Sequence, residues 1–123
     1  MKYLIDTDIL VDLFHNQAYA QLLIPGLIGK GSAYISVLTI TELCAGFTRE
    51  QTEFYLPKLY SLATAIEVDR NIAEIAGEYR FTYHKPIADM LIAATAVSNK
   101  CQLITRNKKD FPMPEIKLYP IED

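Results

Sequence analysis

The chain opens on a short apolar run, residues 2–5 (KYLI), ended by Asp6-Thr7-Asp8. That pattern predicts a buried strand running into a turn. Apolar residues then recur at Ile9, Leu10, Leu13 and Phe14, which is helical spacing, with Asp8 the favoured N-cap. A second helix is predicted over 18–28, stopping at Gly26, Gly29 and Gly31. Tyr34-Ile35-Ser36 reads as a strand, and helices follow over 38–46 and 50–62. Residues 64–68 are β-biased, and Asp69 can cap a helix over 71–83 whose Ile72, Ile75, Ala76 and Tyr79 share one face. Pro86 suits the first turn of a helix over 87–99, which is apolar almost all round and therefore belongs in the middle of a domain. A strand is predicted over 101–105 and a last one over 117–119.

Strands alternating with helices predict an α/β fold with a mostly parallel central sheet. Ligand sites in such sheets lie at the carboxyl ends of the strands. Asp6 follows the first strand, Glu42 lies soon after the second, and Thr105 ends a later one, followed by Arg106, Asn107, Lys108, Lys109 and Asp110. Asp89 sits in the opening turn of the apolar helix, on the face of Ile92, Ala93 and Ala96.

Composition narrows the field. The 123 residues fit one domain, 1–123, and a hydrophobic fraction of 50% excludes disorder as the main state. A net charge of −3 argues against a broadly basic nucleic-acid-coating protein but leaves room for a local basic patch. No apolar run reaches the length of a membrane span, and an acid as early as Asp6 argues against a signal peptide, so a cytoplasmic location is expected. Cys44 and Cys101 read as reduced and structural, and the isolated His15 and His84 offer no zinc pattern. Carboxylates converging on one point repel each other. Hard divalent cations relieve that repulsion with oxygen ligands and pair with phosphates, so such a cluster points to phosphoryl or phosphodiester chemistry.

Four segments, taken together, carry a family resemblance. They are the opening strand with Asp6-Thr7-Asp8, the segment ISVLTITEL that contains Ser36 and Glu42, the helix PIADMLIAATA that contains Asp89, and LITRNKKDF with Thr105 to Phe111. In this order and spacing the sequence resembles a PIN-domain protein, more narrowly a VapC-type toxin ribonuclease of toxin–antitoxin pairs. The resemblance implies a three-layer α/β/α fold. It implies Asp6, Glu42 and Asp89 as acids holding Mg²⁺ or Mn²⁺. The family often has an acid directly after T-R, where this chain has Asn107, so either Asn107 or Asp110 would fill the fourth position. Thr105 would bond a phosphate oxygen or a water. Thr7, Arg106, Lys108 and Lys109 would help dock the RNA backbone. Also implied are hydrolysis of RNA phosphodiesters to 5′-phosphate and 3′-hydroxyl ends, a VapB-type antitoxin and a homodimer.

Each feature has a plainer explanation. Asp6 could simply cap a helix. Thr39-Ile40-Thr41-Glu42 fits a capping box, in which Glu42 bonds backward to the backbone. Asp89 is favoured by the helix dipole, and Arg106, Lys108 and Lys109 could be a solvated loop. The cluster Gly26, Gly29-Lys30-Gly31-Ser32 fails the phosphate-loop spacing and reads as a helix end. Tyr34, Tyr55, Tyr60, Tyr79 and Tyr83 suit packing more than base stacking. Two other functions compete. Asp6-Thr7-Asp8 imitates the D-x-D of haloacid-dehalogenase-like phosphatases, though the chain is short for them. Asn107 leaves open a catalytically weak scaffold that binds RNA or a partner.

Overall fold

The structure is a computed structural model that describes residues 1–121. Four strands form one sheet: β1 (Lys2–Ile5), β2 (Ser32–Ser36), β3 (Thr64–Ile66) and β4 (Gln102–Ile104). The order is β3-β2-β1-β4 and every pairing is parallel. The helices are α1 (Thr7–Phe14), α2 (Ala18–Ile28), α3 (Val37–Gly46), α4 (Arg49–Leu62), α5 (Arg70–Tyr83) and α6 (Ile87–Ser98).

Strand alternation splits the core into two halves, one on each face of the sheet. Tyr3 and Ile5 of β1, Ala33 and Ile35 of β2 and Ile104 of β4 face a cluster with Ile9, Leu10, Ile24, Leu43 and Leu59, drawn from α1 to α4. Leu4 and Leu103 face the other way, onto Ile72 and Ala76 of α5 and Met90, Ile92, Ala93, Ala94 and Ala96 of α6. The result is the α/β/α layering with a parallel sheet. Leu4 and Ile5 are both fully buried, and each such side chain contributes about 1.5–3 kcal/mol. The continuous apolar character of α6 follows from its position, because Met90 and Ile92 through Ala96 are all buried.

Several local expectations are corrected. Asp6, not Asp8, caps α1: its backbone is extended (φ −72°, ψ 156°) and its side chain accepts from the Thr7 N–H. The chain passes from β1 to α1 through this single residue, which leaves no turn for Asp8 to end. Ser36, buried at the end of β2, caps α3 through the Leu38 N–H, so Thr39 and Glu42 lie inside the helix and form no capping box. A capping box does occur at α4, between Thr48 and Gln51. The last predicted strand, 117–119, reduces to one bridge between Leu103 and Leu118. Asp69 caps α5 as expected, accepting from the Ile72 N–H at 2.8 Å. Cys101 is buried and Cys44 is exposed; both are free thiols. Tyr55 donates to the Phe14 carbonyl at 3.1 Å and Tyr79 to Glu115 at 2.6 Å, while the ring of Tyr60 is exposed.

Gly31 has a packing role beyond ending a helix. The Met1 carbonyl accepts from the Ser32 N–H at 3.0 Å, where β1 meets β2. A Cβ on Gly31 would lie 2.1 Å from that carbonyl oxygen. Gly31→Ala should therefore push the strands apart and cost about 1–3 kcal/mol in denaturant unfolding. Gly26→Ala is the control: nothing lies within 4 Å of its Cβ, so it should stabilise α2 by about 0.5–1 kcal/mol. Equal effects at the two positions would refute the close-approach argument.

Candidate active site

The carboxyl ends of β1, β2 and β4 open on the same edge of the sheet, and the chain places acids there. Asp6 directly follows β1, and its N–H donates to the Ile104 carbonyl at the end of β4, 2.9 Å away. That bond fixes Asp6 beside Thr105. The Thr105 hydroxyl, fully buried, donates to Asp6 Oδ2 at 2.8 Å, and the same Oγ1 accepts from the Asn107 N–H at 3.0 Å. Asp6 Oδ1 accepts the Thr7 N–H at 2.9 Å. One buried carboxylate thus caps α1 and ties β1 to the loop after β4.

Glu42 projects from α3 toward the start of α1. The Thr7 hydroxyl donates to Glu42 Oε1 at 2.7 Å and lies 3.0 Å from Thr39 Oγ1. Asp89, half-buried in the first turn of α6, completes the approach from the other helical layer. Asp110 comes from a single turn of 3-10 helix, Lys108–Asp110. Its Oδ2 accepts from Asn107 Nδ2 at 2.5 Å and its Oδ1 lies 3.7 Å from Lys85 Nζ. Asn107 therefore supports an acid through its amide, and Asp110 is one of the carboxylates, with Glu42 and Asp8, whose field reaches Asp89.

The electrostatics record this crowding. Burial, with added repulsion from Asp8 and Asp89, pushes the Asp6 carboxyl up to about 7. Burial, then repulsion from Asp110 and Glu42, pushes Asp89 up to about 6. Asp8 is also raised, chiefly by burial. Its Oδ2 accepts from the Arg106 N–H at 3.2 Å, but its Oδ1 is buried without a hydrogen-bond partner. An orphaned carboxylate oxygen costs free energy that a cation or water would recover.

The donor set suits a hard divalent cation, because every candidate ligand is an oxygen and the carboxylates repel one another. Among the described residues no three acidic, histidine or cysteine side chains already surround a common point closely enough to hold an ion. Each acid has other partners: the Thr7 hydroxyl donates to Glu42, that of Thr105 to Asp6, and the Asn107 amide to Asp110, which also forms a long ion pair with Lys85.

The basic residues after Thr105 are placed differently from one another. Arg106 Nη1 donates to Asp12 Oδ2 at 3.3 Å and its guanidinium lies 5.2 Å from the Tyr19 ring centre, while Tyr19 donates its hydroxyl to the same Asp12. Lys108 Nζ donates to the Ile121 carbonyl at 3.0 Å. Lys109 is exposed. Sequence reasoning did not single out Asp12, Lys85 or an acidic-cluster role for Asp8. Asp8 and Asp12 were detectable as a pair, one helical turn apart on α1. Nothing in the sequence marked Lys85.

The model of the family described as PIN domain matches residues 3–114. Ribonuclease VapC19 of Mycobacterium tuberculosis is 37% identical over 116 residues, covering 89% of this chain and 92% of the relative. A toxin–antitoxin complex from Klebsiella pneumoniae superposes with a TM-score of 0.80 at 32% identity, covering 97% of this chain and 99% of that one. VapBC2 of Rickettsia felis, solved bound to a DNA fragment from its promoter, shares the fold with a TM-score of 0.86 at 22% identity, covering 99% and 100% of the two chains.

Proposed function

The chain belongs to the PIN-domain family, and from that premise we propose that it is an endoribonuclease, the toxin of a toxin–antitoxin pair, with Asp6, Glu42, Asp89 and Asp110 as its working acids. The observation that carries this reading is the arrival of those carboxylates, from four separate elements, at the carboxyl edge of one parallel sheet. The cofactor that suits these oxygens is Mg²⁺ or Mn²⁺, which Asp6, Glu42, Asp89 and Asp110 would hold. Asp8 Oδ1 is the further oxygen free to turn toward it. When bound, such a cation supplies Lewis-acid polarisation of the phosphodiester and makes the attacking water more acidic.

The chain's own residues do the positioning. Thr105 and Thr7 fix the Asp6 and Glu42 carboxylates by donating to them. Asn107 orients Asp110 through its amide and braces Thr105 through its backbone N–H. Arg106, fixed on Asp12 and Tyr19, and the exposed Lys109 border the acids and attract the RNA backbone. Its partner is a VapB-type antitoxin, which keeps the nuclease silent. Exposed Phe81 and Ile87, on α5 and α6, support self-association as a homodimer. No described helix is long and apolar enough to cross a membrane, and RNA as substrate suits work in the cytoplasm.

The phosphatase alternative needs Asp6 as an ionised, free nucleophile. The PIN-domain match over residues 3–114 and the ribonuclease relatives support the nuclease chemistry instead. The inactive-scaffold alternative rested on Asn107, and Asn107 supports Asp110 instead of leaving the position without an acid.

The test is RNA cleavage by purified, antitoxin-free protein in Mg²⁺, Mn²⁺ and EDTA. Cutting should require a metal and produce 5′-phosphate ends. Cutting that persists in EDTA would sink the metal-dependent reading.

A further inference from the structure

We infer that Lys85 is a phosphate-binding residue of the RNA site, an inference that rests on the ribonuclease reading above. The acids at this edge repel a phosphodiester, so RNA needs a positive group fixed among them. The loop between α5 and α6 supplies one. His84, which ends α5 in the left-handed region (φ 57°), donates its N–H to the Arg80 carbonyl at 3.0 Å. The Lys85 carbonyl accepts from Arg80 Nη1 at 3.1 Å, and Pro86 follows with its fixed φ. The Lys85 backbone is thus restrained on both sides, and its half-buried side chain reaches Asp110.

The contact itself leaves capacity to spare. Lys85 Nζ lies 3.7 Å from Asp110 Oδ1, longer than the about 2.7–2.9 Å of a well-formed ammonium–carboxylate hydrogen bond. An ammonium has three donors and no other partner of this one is formed among the described residues. The neighbouring cations differ: Arg106 is engaged by Asp12 and Tyr19, Lys108 by the Ile121 carbonyl, and Lys109 is exposed without being held against an acid of the site. Lys85 is the cation that abuts an acid of the site, Asp110, which in turn acts on Asp89. A phosphate arriving beside Asp89 comes within reach of it. The ligand is the sugar–phosphate backbone of a single strand, so the contact carries no base preference.

The experiment measures binding of a fluorescently labelled, mixed-sequence single-stranded RNA to the cleavage-deficient Asp89→Asn protein with Mg²⁺ over a salt series. Adding Lys85→Gln should weaken binding about tenfold and reduce the slope of log affinity against log salt by about 0.7, the loss of one phosphate contact. Lys85→Arg should restore most of both. In the otherwise native protein Lys85→Gln should raise KM more than it lowers kcat. A purely structural Lys85 would lower Tm and leave the salt slope unchanged, and that result would overturn the inference while sparing the ribonuclease reading. A parent protein that neither binds nor, with Asp89 intact, cuts RNA would remove both.

Discussion

Asp89→Asn should abolish RNA cleavage, by about a thousandfold or more for several kcal/mol of transition-state stabilisation by the cation, and should leave the metal-free protein as stable as the parent or more so. The two halves of this expectation come from one fact. Asp89 is a half-buried charge held near like charges: burial raises its pKa most, and Asp110, Glu42 and Asp8 raise it further. The metal-free fold therefore loses little when the charge goes, and it sheds a repulsion. Asn keeps the size and one acceptor oxygen but cannot neutralise a divalent cation. Cleavage of labelled RNA gives the first number and denaturant unfolding in EDTA the second. A plainly destabilised, metal-free Asp89→Asn would mean that Asp89 holds α6 in place, and the site assignment would fall with it.

Metal-free protein should lose stability as pH rises from about 4 to about 7, and a divalent cation at neutral pH should return it. The sign follows from proton counts. Burial first, and then the neighbouring carboxylates, push Asp6 in the fold up to about 7 from its ordinary 3.8, and Asp89 up to about 6. Between those limits the native state holds protons that the unfolded chain has already released, so stability falls with rising pH. The stabilisation is complete below the unfolded value and is gone once pH has passed the folded one. For the buried Asp6 the effect is of the order of a few kcal/mol at about 1.4 kcal/mol per pH unit. Unfolding midpoints in EDTA across this range measure the slope. Asp89→Asn should show a shallower one, since it removes one of the raised carboxyls, which are Asp6, Asp8 and Asp89. Mg²⁺ or Mn²⁺ at a hundred times its Kd should add about 2.7 kcal/mol at neutral pH. A flat profile, or a slope unaltered by Asp89→Asn, would contradict the clustered-acid description.

The positions of residues along the fold were largely legible, and their partners were not. The apolar run over residues 3–5 and the almost wholly apolar helix around Met90 to Ala96 identify the central strand and a buried helix directly, because burial on nearly every side leaves no polar period. Asp6 and Asp8 illustrate the limit. Two acids two residues apart both suit an N-cap, and only the extended backbone of Asp6 between β1 and α1 separates them. Thr39 and Glu42 have the spacing of a capping box, yet Ser36 starts α3 at the end of β2, and Glu42 turns to Thr7, which is 35 residues away.

By itself the sequence determined the α/β alternation, the parallel sheet and the set of acids that follow its strands. Hydrophobic periodicity and strand-end position are local properties that survive in one dimension. Tertiary structure decided which acid meets which: that Asp110 acts on Asp89 while Asn107 braces it, that Arg106 turns to Asp12 and Tyr19, and that Lys85 reaches the site. Hydrogen bonds and charge interactions act over a few ångströms in space, and they join residues such as Asp6 and Thr105 that lie 99 positions apart in the chain.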